Sequence, residues 1–520
     1  MKVVTAQQMA QIDEYAIKKL GIPSAHLMET AGIKVAEYVH AFLQKIPSNK
    51  KSIVLFAWKG NNGGDAIVAA HCLLDKDPTI DLKLIYLAPI DKLQGDALFH
   101  YSRLLEKYPS SIIHADTPEQ LKETERYVQS ANVIIDGIFG TGFLGEPIGQ
   151  PAEAIKFINS CRKPIIAIDI PSGVNGTTGK ASLAVKAQIT LTIGLPKYGL
   201  LFADGPEYTG KIQVIDIGFP TEAINSVESN LHYLTKRWIK GLLPERQENS
   251  HKNTFGHLFI IGGSSGLTGS VILAAQAALR SGCGMVTVCC PESVNSVIES
   301  GFTEAITCSL PETDKKTIHH LALGQLFPVM KDRRCSSVLI GPGLGKHPQT
   351  TKFVIDFIQK CPYPLAIDAD ALNALAMVNT NLLNKTASPT VITPHPGEFS
   401  RLIHKDTDDI QSHRLSYAEY FTKNHNTTLI LKGKNTLITA KNSPRFINPT
   451  GNNGLATAGS GDVLAGMLGA FLALGLPSIK AACCATFYHG MAGEFAAKTF
   501  GTRSMIASDI VHSLHHAFRA

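Results

Sequence analysis

The chain has 520 residues, 44% of them hydrophobic and 18% charged, with a formal net charge of +6. That length exceeds what one ordinary core organises and predicts two large domains, while the mild positive balance suits anionic metabolites and argues against nucleic acid. Ten cysteines without a C-x-x-C or a zinc-type His spacing point away from a zinc module and predict reduced thiols in a cytoplasmic protein. The first segment, MKVVTAQQMAQIDEYAIKKL, lacks a signal-peptide apolar core, and its Thr5 and Gln8 have capping-box spacing ahead of an amphipathic helix. From Ser52 to Phe219, short β-branched runs alternate with longer amphipathic segments: Ile53 to Ala57, Leu82 to Leu87, Val133 to Phe139, Pro164 to Ile170, Ile189 to Ile193 and Ile212 to Ile217. This is the rhythm of a parallel sheet with crossover helices, whose ligands bind beyond the carboxyl ends of the strands.

Three of those ends carry chemistry. Asn61, Asn62, Gly63, Gly64 and Asp65 read as a strand-to-helix loop, where glycines let the backbone approach a ligand; a tight turn alone needs neither the asparagines nor the aspartate. Gly140, Gly142 and Gly145 match G-x-G-x-x-G, but Pro147 intervenes and no helix follows directly, so this is not a true Rossmann fingerprint, while a glycine loop that wraps a dinucleotide in another way stays open. Asp136 and the Asp169 to Gly176 run, DIPSGVNG, put carboxylates at strand ends, where they serve a cation, a ligand hydroxyl or a proton, or cap nearby N–H groups. Oxygen ligands from Asn62, Asp136 and Ser172 suit a hard cation of low charge.

Between Phe219 and Phe255 the strand rhythm lapses into a polar stretch, which predicts a domain boundary near residue 225, with domains 1–225 and 226–520. Alternation resumes at His257, with a helix-like Val271 to Arg280. Further strand ends read GPGLG (Gly341 to Gly345), DADALN (Asp368 to Asn373), TPHPGE (Thr393 to Glu398) and LKGKNT (Leu431 to Thr436). Asn452 to Asp462, NNGLATAGSGD, stands before fourteen uncharged residues, Val463 to Leu476. Small residues and an unpaired helix N-terminus make an anion hole, and a carboxylate facing that anion takes a proton or holds a metal; the plain alternative is a cap on a buried helix. The apolar run is short for a bilayer span and contains three glycines, so no membrane segment is expected. No P-loop motif occurs. Lys432 and Thr436 lie where they could meet a nucleotide or form a solvated turn, and His395 with Glu398 is half an acid/base pair or a structural histidine.

In order, these motifs resemble one family, the bifunctional NAD(P)H-hydrate repair enzymes, over roughly residues 10–220 and 228–517. The resemblance implies a Rossmann-like three-layer α/β/α epimerase domain fused to a ribokinase-like α/β dehydratase domain that uses ADP or ATP. It implies that the hydrated dinucleotide is held in the first domain by Asn61, Asn62, Gly63, Gly64, Asp65, Gly140, Thr141, Gly142, Phe143, Leu144, Gly145 and Glu146, with Asp169 as acid/base and a potassium ion on Asn62, Asp136 and Ser172. In the second domain it implies substrate contacts from Gly343, His395, Pro396, Gly397, Glu398, Phe399, Ser400 and Arg401. ADP is expected on Lys432, Gly433, Lys434, Asn435 and Thr436, and on Asn452, Asn453, Gly454, Leu455, Ala456, Thr457, Ala458, Gly459, Ser460 and Gly461, with Asp462 at the reacting hydroxyl and magnesium assisting. A homotetramer or larger homo-oligomer is also implied. Ala66, Asn175 and Asn453 depart from the family's usual glycine, aspartate and proline; the first is expected to restrict the loop's exit and the second to remove a charge. The rival readings are a ribokinase-like kinase of a hydroxylated metabolite with a nucleotide-sensing first domain, and a first domain that only binds.

Overall fold

Side chains alternate faces along a strand, so a run that is apolar at every position must be covered on both sides. In the computed structural model, which describes residues 1–48 and 50–520, β1 (Ser52–Ala57) meets that requirement. Ile53, Leu55 and Ala57 enter one apolar cluster, with the helices Ser24–Leu43, Asn61–Lys76 and Gly95–Lys107; Val54 and Phe56 enter another, with Gln150–Ser160. The remaining strands of this half are β2 (Asp81–Tyr86), β3 (Ile112–His114), β4 (Val133–Gly137), β5 (Ile165–Ile168), β6 (Ile189–Ile193) and β7 (Lys211–Ile215), all parallel, in the order β3-β2-β1-β4-β5-β6-β7. This is a three-layer, Rossmann-like sheet. Strand order reverses between β1 and β4, which opens a crevice at their carboxyl ends. The sequence predicts six strands here and the structure has seven; β3 is three residues at the sheet edge, too short to register as an alternating run.

The chain divides into two compact units, Met1–Asn230 and Leu231–Ala520. The second begins with β8 (Leu231–Tyr233), a strand inside the stretch read as polar connection. It continues with β9 (His257–Ile261), β10 (Met285–Pro291), β11 (Ile306–Leu310), β12 (Ser337–Ile340), β13 (Leu365–Ile367), β14 (Thr390–Ile392), β15 (Thr428–Leu431), β16 (Leu437–Ala440) and β17 (Arg445–Ile447). The sheet order is β11-β10-β9-β12-β13-β14-β15-β16-β17-β8, parallel from β11 to β15, with antiparallel pairing of β16 to its two neighbours. This is the α/β class expected of the second half. Past its first turn, helix Ser460–Ala473 is apolar all round and buried, from Val463 to Ala473, as a stretch without a polar face must be. Among the described residues no helix is long and apolar enough to cross a membrane.

Two candidate active sites

In the first unit the NNGGD residues are the opening turns of helix Asn61–Lys76 rather than a loop. A Cβ at Gly63 would lie 1.7 Å from Trp58 O, so glycine there serves close packing of the helix start on the strand end. Ala66 lies within the same helix, where no glycine dihedral is needed, so the expected restriction at a loop exit does not arise. Asn61 is exposed, whereas Asn62 and Asp65 are buried. Asn62 Nδ2 donates to Phe139 O at 2.8 Å and Ile168 O at 3.1 Å, which fixes its orientation and leaves Oδ1 buried without a partner among the described residues. Phe139 N donates to Ser172 Oγ, and Ser172 donates to Asp136 Oδ1 through its hydroxyl and to Oδ2 through its backbone N–H. Asn62, Asp136 and Ser172 therefore gather around the Phe139 peptide. Burial raises the Asp136 carboxyl to about 6 against the pull of those bonds.

Asp169 follows β5 with φ of 64°, a left-handed conformation unusual for a residue with a side chain. Its Oδ2 accepts from Thr141 N at 3.1 Å, and its Oδ1 from Lys197 Nζ at 2.5 Å and Ile193 N at 3.3 Å. The structure thus brings Gly140 and Thr141 to Asp169. Phe143 stacks on Phe139 at 4.3 Å between ring centroids, while Gly142, Leu144, Gly145 and Glu146 are exposed. Lys197, 1% exposed, is a member that sequence reasoning missed. Its signal was present, because it is the lone charged residue between Ile189 and Ala203. Asp13, from helix Ala6–Lys18, was missed as well. Burial raises Asp13 to about 6 and Asp65 well above its ordinary range, and the negative charge of Asp169 adds to both shifts. Asn175 accepts from Thr177 N and Thr178 N, a turn that an aspartate would make equally well.

The second unit gathers its strand-end loops in the same way. Gly341 to Gly345 follow β12, and Asp368, 1% exposed, follows β13 beside Ala369, which like Asp169 has a positive φ, 52°. Gly343 O accepts from Ser264 Oγ, and Gly345 N donates to Asp370. Lys432, at the end of β15, is not a solvated turn: its Nζ lies 3.0 Å from Asp368 and 3.8 Å from Glu398. Burial pulls this ammonium down, but Asp368, Glu398 and Asp462 outweigh burial and leave it above its ordinary range. Arg414 holds the loop by donating to the carbonyls of Leu431, Lys432 and Lys434, and Thr436 Oγ donates to Gly433 O; Lys434 is exposed.

His395 caps helix Pro396–Ile403: its Nδ1 accepts from Gly397 N and Glu398 N, and its own N–H donates to Glu398. That is the structural reading of this histidine. Phe399 is fully buried against Phe421, so its side chain belongs to the core and only its backbone is left to meet a ligand. Ser400 Oγ turns to Lys405 O, and Arg401 reaches Asn373.

Asn452 to Gly461 is a pinned loop. Asn452 donates to Gly493 O and accepts from Gly454 N, Gly451 N donates to Glu494, and Ser460 Oγ meets His489 Nε2 at 3.2 Å. Burial holds His489 near 4, hence neutral. Gly459, at φ 85°, turns the chain into helix Ser460–Ala473, whose first N–H groups have no side-chain cap. A side chain at Gly461 would come within 3.6 Å of Lys432 Nζ, so the glycine loop and the ammonium border one space. Asp462 accepts from Ser270, and burial, reinforced by Asp368, lifts its carboxyl to about 6. A carboxylate there ionises near neutrality beside uncapped helix donors and a lysine, which equips the space to bind phosphate and take a proton.

The family described as YjeF-related protein N-terminus matches residues 24–199, and the one described as NAD(P)H-hydrate dehydratase matches residues 258–516. A bifunctional NAD(P)H-hydrate repair enzyme Nnr of Moorella thermoacetica is 37% identical over 520 residues, which is 100% of this chain and 97% of that protein. One of Dictyoglomus turgidum is 33% identical over 99% of this chain and 98% of its own length. The crystal structure of an ADP/ATP-dependent NAD(P)H-hydrate dehydratase from Bacillus subtilis is 27% identical over 56% of this chain and 98% of that one, with a TM-score of 0.48.

Proposed function

This chain belongs to the bifunctional NAD(P)H-hydrate repair enzymes, and from that premise we propose how its two units divide the repair. The first interconverts the R and S epimers of the hydrated dinucleotide. The second uses ADP to dehydrate the S epimer to NAD(P)H, with AMP and phosphate as the other products. Hydration leaves a hydroxyl on the carbon beside the ring nitrogen, and hydroxide is a poor leaving group. Asp462 takes the hydroxyl proton as the oxygen attacks the terminal phosphoryl of ADP; the glycine loop and the helix N-terminus hold the developing charge. The ring nitrogen then expels phosphate, and loss of a proton from the neighbouring ring carbon restores the double bond.

The observation that carries this reading is Asp462 itself, a carboxylate tuned to about 6 at an uncapped helix start, beside Lys432. The excess of carboxylate around that one lysine, from Asp368, Glu398 and Asp462, fits a magnesium ion carried in on the nucleotide's phosphates, where it supplies neutralising charge. In the first unit a potassium ion fits the all-oxygen donors of Asn62, Asp136 and Ser172, and the unpartnered Asn62 Oδ1 is the atom that calls for it; when bound it supplies a fixed positive charge near the ring. Asp169 exchanges a proton with the ring hydroxyl as it leaves one face and returns to the other. The ten free thiols suit a reducing cytoplasm.

The test is formation of NADH from pure S epimer with ADP and magnesium, followed by absorbance. Asp462→Asn is expected to lower the rate by ~10³-fold or more. A phosphorylated alcohol that accumulates without NADH would sink the dehydratase assignment in favour of a kinase.

A further inference from the structure

The least expected group in the first site is Lys197, a cation inside an apolar strand-end turn. An ammonium has three N–H donors, and Lys197 spends them on Asp169 Oδ1, Thr192 Oγ1 at 3.1 Å and Ile193 O at 2.5 Å. With 1% of its surface exposed and no donor left, it has nothing to offer a ligand. Its effect must pass through Asp169. On that carboxylate, Oδ1 is engaged twice, by the ammonium and by Ile193 N, whereas among the described residues Oδ2 accepts only the Thr141 N–H. A Cβ at Gly140 would stand 3.2 Å from Oδ2, so the glycine at that position is what keeps the approach to this oxygen open.

We propose that Lys197 is the positioning residue of the first site: it occupies Asp169 Oδ1 and thereby leaves Oδ2, at the glycine loop, as the oxygen that exchanges a proton with the hydrated ring. The inference rests on the epimerase reading of this unit. It also accounts for the left-handed backbone of Asp169, because an ion pair with a sealed lysine supplies the interaction that holds an otherwise unfavourable conformation. Asp13 and Asp65 also feel the Lys197 charge, but burial outweighs it and raises both carboxyls, and the carboxylate that the ammonium bonds is Asp169.

The test is a double-mutant cycle on epimerisation of pure R epimer by the full chain, with kcat and KM separated. Lys197→Met and Asp169→Asn are each expected to lower kcat by ~10²-fold or more with KM changed less than threefold. The double variant should be no slower than Asp169→Asn alone, because a residue that acts only through its partner adds nothing once the partner is gone. It also removes both charges together, which spares the fold an unpaired buried ion if Lys197→Met alone is unstable. Gly140→Ala keeps the ion pair and crowds Oδ2, together with the Asn62 side chain, and should lower kcat as well. Losses that multiply in the double variant, a loss confined to KM, or a Lys197→Met chain within threefold of wild type would each overturn the inference while leaving the epimerase reading intact. A wild-type chain that consumes the R epimer no faster than spontaneous inversion overturns both.

Discussion

Both sites place an aspartate at the end of a parallel strand and pair it with a lysine, but they treat the lysine differently. Lys197 is sealed, with every donor committed to protein. Lys432 is 20% exposed, sits among Asp368, Glu398 and Asp462, and borders the glycine loop at Gly461. A sealed ammonium fixes its partner's geometry and cannot answer a ligand. An open one, held in place by a carboxylate on one side, can meet charge that arrives from the other. The difference matches the chemistry proposed for each unit: proton exchange on a neutral hydroxyl needs an oriented carboxylate, whereas phosphoryl transfer needs mobile negative charge to be received.

The largest effect that would separate the two lysines is on nucleotide binding. Lys432→Met should raise the KM for ADP by ~10-fold to ~100-fold, the scale of a lost charge-assisted bond, and should weaken the salt dependence of that KM. The corresponding Lys197 substitution should leave it alone. If Lys432→Met lowers kcat with KM unchanged, Lys432 is an orienting residue like Lys197 and the contrast collapses. A smaller effect concerns pH. Asp462 must be ionised to act as base, and its carboxyl is raised to about 6 by burial and by Asp368, so activity is present above that value and is lost as the pH falls through it. kcat/KM for dehydration should therefore fall about tenfold per pH unit below ~6, as expected for a single titrating base. A profile flat down to pH 5 would show that Asp462 does not carry the proton.

The parts of these sites that could be read in the sequence are those whose chemistry is local. Asp462 at the end of GSGD, Asp169 after a β-branched run, and the carboxylate and serine of the Phe139 turn announce themselves because strand ends are where such folds bind ligands. What could not be read arrives through packing. Asp13 reaches the first site from the N-terminal helix; Ser270, His489 and Arg414 brace the second from helices distant in sequence. No spacing rule joins them. The strands β3 and β8 escaped for another reason: each is a three-residue strand at a sheet edge, without the aspartate- or glycine-bearing motif that marks the ends of the equally short β13 and β14. The NNGGD run is legible as a candidate site but reads as a loop, because two adjacent glycines argue against a helix unless other backbone lies within contact, as that of Trp58, just past β1, does here.

That misreading makes Ala66 the finest test of how the first site is built. If the motif were a loop, a glycine at this position would free its exit and improve the epimerase. Because Ala66 sits inside helix Asn61–Lys76, fully buried, with its Cβ filling the space that a side chain at Gly137 would need, the structure calls for the opposite. Ala66→Gly should cost about 1 kcal/mol in helix propensity, with a further small loss from the void left against β4. The first unit's thermal transition should drop by ~2–4 °C, while the rate of R-epimer consumption at 25 °C stays within twofold of wild type. A faster epimerase with an unchanged transition would mean that backbone freedom at residue 66, rather than packing against Gly137, governs the mouth of the site.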